Sequence, residues 1–198
     1  MSSDKKKYIS DFDRTGVTMK NWLDTPTLTT VSPTASGVQL KWKKSPDAAK
    51  YRVFRKTGSG SWVKLTDTTS LSYLDKTAKS GTKYTYTVRC MSGNTYTSEL
   101  VAGKTITFIA MPKLGAVANV TGGIKVTWSK SAGAAKYRVF RKTGSGKWVT
   151  LADTTALSYV DKTAKKGTKY TYTVRCVSAD GKTFTSEYNT TGLSIVKK

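Results

Sequence analysis

The chain has 198 residues, with 34 Lys plus Arg against 12 Asp plus Glu, no His and two Cys. The missing histidines remove the commonest general base and metal ligand. Two cysteines make neither a disulfide framework nor a zinc site without other ligands. An apolar share of 37%, with 11% aromatic, is too rich for a disordered chain and implies packed cores. The longest apolar stretch, around Ile106–Met111, falls far short of the roughly 20 residues a membrane helix requires.

The net charge of +22 is the strongest bulk signal. Such a surface attracts polyanions: nucleic acid, teichoic acid, acidic polysaccharide, anionic lipid or an acidic protein. It also serves solubility, because lysines blunt exposed sheet edges. Composition leaves both open.

In chain order, the first 24 residues stand apart. MSSDKKKYISDFDRTG is basic but has no apolar core region of the secretory type. The expectation is therefore a protein used without that export route, or one whose leader has been removed. Tyr8, Ile9, Phe12, Trp22 and Leu23 place large apolar side chains in a segment too short to build a core. The spacing favours a peptide that orders when it docks on a larger protein assembly. The competing expectation is a strand or cap folded onto the first domain.

An internal repeat follows. Ala48–Cys90 and Ala134–Cys176 differ at six of 43 positions, at a constant offset of 86. The offset extends upstream, where Pro26, Leu28 and Trp42 match Pro112, Leu114 and Trp128. Downstream it grows to 88, because the turn at 178–182 is two residues longer than that at 92–94. A length change there reads as a hairpin loop. The expected divisions are an arm (1–24), domain one (25–110) and domain two (111–198), with formal charges of +1, +9 and +12.

Within each repeat the period is two. Val38–Trp42, Tyr51–Val53 and Tyr84–Cys90 alternate, with Gly-Ser-Gly at 58–60 and Ser-Gly at 80–81 as turns. Seven strands are predicted in the first copy, near 26–31, 37–43, 50–56, 61–66, 71–75, 82–91 and 96–106. Seven short strands with turns at this spacing indicate an antiparallel β-sandwich, here in two tandem copies, all-β throughout. Trp42, Tyr84, Tyr86, Val88 and Cys90 share the inward parity and are expected in the core. Cys90 and Cys176 are expected to be small buried hydrophobes in separate domains, too far apart to bridge.

Trp42, Tyr51-x-Val53, Leu71-x-Tyr73 and Gly81-Thr82-x-Tyr84-x-Tyr86-x-Val88 resemble a fibronectin type III domain, and Trp128, Tyr137, Val139, Leu157, Tyr159, Gly167, Tyr170, Tyr172 and Val174 repeat the pattern. The resemblance covers all but the arm and is similar to Lys- and Thr-rich modules of Gram-positive gut bacteria and their phages. It implies the fold and leaves function open among spacer, adhesin and virion decoration.

If Tyr51, Val53 and Val88 point inward, then Arg52, Phe54, Lys83 and Arg89 share the outer face with Thr85 and Thr87. Arg138, Phe140, Lys169 and Arg175 duplicate them. An exposed ring between guanidiniums suits phosphate or carboxylate together with a sugar face or base. The competing reading is cross-strand packing, with Phe54 shielded by arginine stems. Trp62 and Trp148 follow Gly-Ser-Gly turns on an expected edge strand, either half-buried or free to stack on a sugar or contact a protein.

Gly-Ser-Gly lacks the Gly-Lys-Ser/Thr continuation of a phosphate loop. Asp75 and Asp161 read as turn caps. The acidic residues are scattered, so neither a catalytic constellation, a metal site nor a cofactor is expected. The leading expectation is a non-enzymatic display protein of a bacteriophage virion surface, a capsid decoration or tail accessory. Its arm would dock on the particle and its basic sandwiches would contact anionic polysaccharide. The alternatives are a fragment of a secreted cell-wall adhesin or spacer, and a nucleic-acid binder, which inward-pointing aromatics and the lack of a groove-reading motif disfavour.

Overall fold

The computed structural model describes residues 23–198. Tyr8, Ile9, Phe12 and Trp22 of the arm lie outside the described residues. The chain divides into two compact units at Ile106–Thr107, with the short stretches 33–38 and 76–83 grouped with the second.

In the first sandwich the strands are β1 (Leu28–Thr34), β2 (Gly37–Trp42), β3 (Lys50–Thr57), β4 (Val63–Thr68), β5 (Ser72–Asp75), β6 (Thr82–Ser92), β7 (Thr95–Tyr96) and β8 (Lys104–Phe108). One sheet has the order β1-β2-β5; the other runs β4-β3-β6-β7, with β8 also paired to β6. The second sandwich repeats this with β9 (Leu114–Val120), β10 (Gly123–Trp128), β11 (Lys136–Thr143), β12 (Val149–Thr154), β13 (Ser158–Asp161), β14 (Lys169–Val177), β15 (Phe184–Tyr188) and β16 (Leu193–Val196). Its sheets are β13-β10-β9 and β12-β11-β14-β15, with β16 on β14. No helix forms among the described residues.

Alternation sets the core. β3 pairs antiparallel with β6 so that Tyr51 opposes Cys90 and Val53 opposes Val88. These four, with Leu40, Trp42, Tyr84 and Tyr86, are buried between the two sheets. Trp42 meets Tyr51 edge to face at 5.7 Å, a favoured aromatic geometry. In the second unit Ile124, Val126, Trp128, Tyr137, Val139, Tyr170, Tyr172, Val174 and Cys176 form the equivalent cluster. Both cysteines are free and buried. The Lys165 amide donates to the Tyr170 hydroxyl at 3.1 Å, a tyrosine corner at the position corresponding to Tyr84.

Two expectations need correction. The predicted strand 96–106 is broken: β7 ends at Tyr96 and β8 begins at Lys104. The cause is Gly103, at φ +81°, where a Cβ would lie 2.1 Å from the Tyr86 carbonyl oxygen. Only glycine allows so close a crossing. Thr85 and Thr87, expected on an open outer face, are buried. The returning chain covers them, Thr105 bonding Thr85 at 2.9 Å and Gly103 lying against Thr87. Leu71 and Leu157, part of the family-like pattern, are exposed.

Candidate functional site

The outer face of the β4-β3-β6-β7 sheet carries the residues singled out in the sequence. Arg52 and Arg89 are direct cross-strand partners, as are Arg138 and Arg175. The ring held between the guanidiniums is not Phe54, as expected, but Tyr96. Arg89 lies 3.8 Å and Arg52 5.5 Å from the Tyr96 ring centre, and Phe54 packs beside it at 6.1 Å. In the second unit Phe184 takes this place, with Arg175 at 4.2 Å and Arg138 at 5.7 Å. Phe140 lies 6.2 Å from Phe184. The displacement follows from the hairpin after β6, which folds its own aromatic residue onto the arginine pair; parity on β3 alone carries no trace of it.

The Arg52 fork is already engaged. Its Nε and Nη2 donate to the two Asp67 oxygens at 2.6 and 2.8 Å, and Nη1 donates to the Tyr96 hydroxyl at 3.2 Å. Arg138 holds Asp153 in the same bidentate way and also reaches the Gly181 carbonyl at 2.9 Å. Arg89 donates to the Ser98 carbonyl, and Arg175 to that of Ser186. The arginine hydrogen bonds hold Asp67 and Asp153 below the usual carboxylate range. The forks therefore tie β3 to β4 and β11 to β12, and the second arginine of each pair holds the chain that returns after β6 or β14, rather than standing open to phosphate.

Lys83 and Lys169 are exposed but do not join this cluster. Each lies six residues from its arginine on the same strand, about 20 Å away at the rise of a β-strand. Trp62 and Trp148 are half-buried, with the ammonium groups of Lys56 at 5.1 Å and Lys142 at 4.8 Å from their rings. Trp148 also meets Tyr188 at 6.4 Å and 90°; Leu100 stands at the matching place in the first unit. Of the arm, Leu23 is described: it is half-buried, and its amide donates to the Thr97 carbonyl. The Cys90 thiol contacts the Asp24 carbonyl. The end of the arm is thus part of the first sandwich.

A second constellation escaped the sequence reading. Asp75 and Asp161, read as turn caps, are both fully buried. Asp161 does cap the Thr163 amide at 3.0 Å. It also receives Arg141 Nη1 and the Tyr172 hydroxyl, each at 2.7 Å. Asp75 receives Arg55 at 2.7 Å and Tyr86 at 2.8 Å. Burial alone would raise the Asp161 carboxyl, but hydrogen bonds from Thr163, Tyr172 and Arg141 overcome it and hold it below the ordinary value. Arg55 continues the inward parity of Tyr51 and Val53, a signal that was present and went unused. The clamp joins β5 of one sheet to β3 and β6 of the other; its geometry is that of a structural ion pair.

Among the described residues no group of three or more His, Cys, Asp or Glu could hold a metal ion. No helix among them is long and apolar enough to cross a membrane.

Strand order β1-β2-β5 facing β4-β3-β6, with β8 also on β6, makes a two-sheet antiparallel sandwich of fibronectin type III-like fold, and the chain carries two such sandwiches in tandem. No family model matches the chain. It is 27% identical over 178 residues to Exoglucanase B of Cellulomonas fimi, covering 79% of this chain and 15% of that protein's length. Among solved structures it is similar to the FN1–FN3 domains of chicken CNTN1, with a TM-score of 0.41 at 12% identity, over 89% of this chain and 68% of that one. It is also similar to a two-domain fibronectin type III segment of chicken tenascin, with a TM-score of 0.43 at 22% identity, over 89% and 98% of the two chains.

Proposed function

We propose that this is a non-enzymatic surface-display protein whose two basic sandwiches contact anionic glycans and whose residues 1–22 dock it on a larger assembly, a bacteriophage capsid or tail. The observation that carries the reading is duplication of one basic, aromatic-bearing sheet face. The 43-residue segment that builds most of it is retained almost unchanged, although the flanking strands have diverged. Two copies of a weak site raise avidity for a repetitive polymer without strengthening either one. The buried carboxylates of the described residues are consumed in ion pairs, which leaves them no role in acid–base chemistry.

A second reading, a module of a larger secreted cell-wall protein, draws support from the likeness to part of an exoglucanase. The two differ in what the arm does. The full chain and a chain beginning at Leu23, which keeps the bond to Thr97, are to be sedimented with phage particles. Pelleting of the full chain alone supports the virion reading. Failure of both to pellet removes it and leaves the secreted module.

A further inference from the structure

The two sandwiches are not equivalent on the shared face. Aligning the repeats, Ser61 of the first unit becomes Lys147, Asn94 becomes Lys182, Tyr96 becomes Phe184 and Leu100 becomes Tyr188. All four changes fall on or beside the aromatic cluster. They convert one isolated ring pair into a continuous series. Trp148 meets Tyr188 at 6.4 Å; Arg175 lies 5.5 Å from Tyr188 and 4.2 Å from Phe184; Phe184 meets Phe140 at 6.2 Å. Phe184 is 46% exposed although it is the central ring. In the first unit the corresponding series is cut at Leu100, and the Tyr96 hydroxyl is tied to Arg52.

The polar rim matches a particular chemistry. Lys147 and Lys182 are exposed and lie within two residues of Trp148 and Phe184 in the chain; Asp153, held by Arg138, and Asp180, held by the Ser178 hydroxyl and the Lys182 amide, are also exposed, and Glu187 lies 3.8 Å from Arg175. Cations with carboxylates suit a ligand that both donates and accepts hydrogen bonds while carrying negative charge. A sugar chain does so: hydroxyls go to carboxylates, its own acid groups to lysines, and the apolar faces of its rings to aromatic side chains. A DNA backbone offers acceptors and anions but no hydroxyl donors to match the exposed carboxylates.

We infer that the second sandwich, through Phe140, Phe184, Tyr188 and Trp148 with Lys147 and Lys182, holds the stronger glycan site, that its ligand is an acidic polysaccharide of uronic-acid type, and that the first sandwich holds only a weaker version of it. The inference rests on the anionic-glycan reading above and ranks the two copies of the face.

Binding of the full chain to polygalacturonate, read by isothermal titration at about 0.1 M salt, tests it. K147S/K182N/Y188L gives the second unit the residues of the first, which that unit already tolerates; it should weaken binding at least tenfold with an unchanged melting curve. S61K/N94K/L100Y in the first unit should strengthen binding. K125S/K130S removes the same charge from elsewhere on the second unit and should change affinity less than threefold. If the wild-type chain binds but the triple variant binds equally well, the assignment fails while the glycan reading stands. If the charge control loses as much as the triple variant, binding is diffuse and the site is rejected. If the wild type ignores polygalacturonate, the uronic-acid assignment falls; if it prefers duplex DNA at equal salt, the glycan reading itself falls.

Discussion

Asp161 shows how one residue couples the two sheets of a sandwich. It is fully buried, yet Arg141, Tyr172 and Thr163 keep it ionised. Removing one partner of a buried pair strands the other, so Asp161→Ala should destabilise the second unit by about 3 kcal/mol in urea titration. Its folded carboxyl lies below the unfolded value, so its contribution is complete above about pH 4 and is lost as pH falls through the folded value. Thermal melts stepped down through acid should show that loss, and Asp161→Asn should flatten it. The phenols give the opposite sign. Burial first, and the bond to the carboxylate second, push Tyr86 and Tyr172 up. Their stabilisation holds below about pH 10 and is lost as pH rises. Absorbance near 295 nm should therefore reveal tyrosines, Tyr86 and Tyr172 among them, that ionise only as the protein unfolds in alkali.

Strands and turns depend on a few backbone constraints. At Gly192, φ +69°, a Cβ would come 2.6 Å from the Tyr172 carbonyl oxygen, repeating the crossing at Gly103. Gly103→Ala and Gly192→Ala should each cost well over the ~1 kcal/mol of an ordinary left-handed glycine. Gly58→Ala, at φ +54° with open space around it, should cost only that ordinary amount in the same denaturation assay. Period-two alternation made β2, β3, β5 and β6 readable almost to the residue, because each has one face in the core. It failed over 96–106, where glycine lets the chain leave the sheet and return. It also failed on the outer side of β6, where that return covers Thr85 and Thr87.

Across the whole molecule, charge dominates. Both repeats are basic, and exposed lysines are screened by salt over about 8–10 Å at 0.1–0.15 M. Polyanion binding should accordingly weaken steeply from about 0.05 to 0.5 M NaCl, and more steeply for a flexible polyphosphate than for polygalacturonate, whose ring contacts survive screening. A salt-independent affinity would show that the net charge serves solubility alone. Repetition adds a second effect: the repeats share their core-building segment but differ at the rims of one face, so the core contacts are common to both while the exposed chemistry of that face is not.

Composition, alternation and the 86-residue offset are readable along the linear chain, and by themselves they determined an all-β protein of two tandem sandwiches with Trp42, Tyr86 and Val88 in its core. A strand's inward face can be read from its own residues because the side-chain period is two. Which ring lies between Arg52 and Arg89, and that Arg55 meets Asp75 twenty positions away, was decided only by the tertiary structure. Those contacts depend on register between strands and on how a loop of particular length returns, and neither is encoded in the pattern of any single strand.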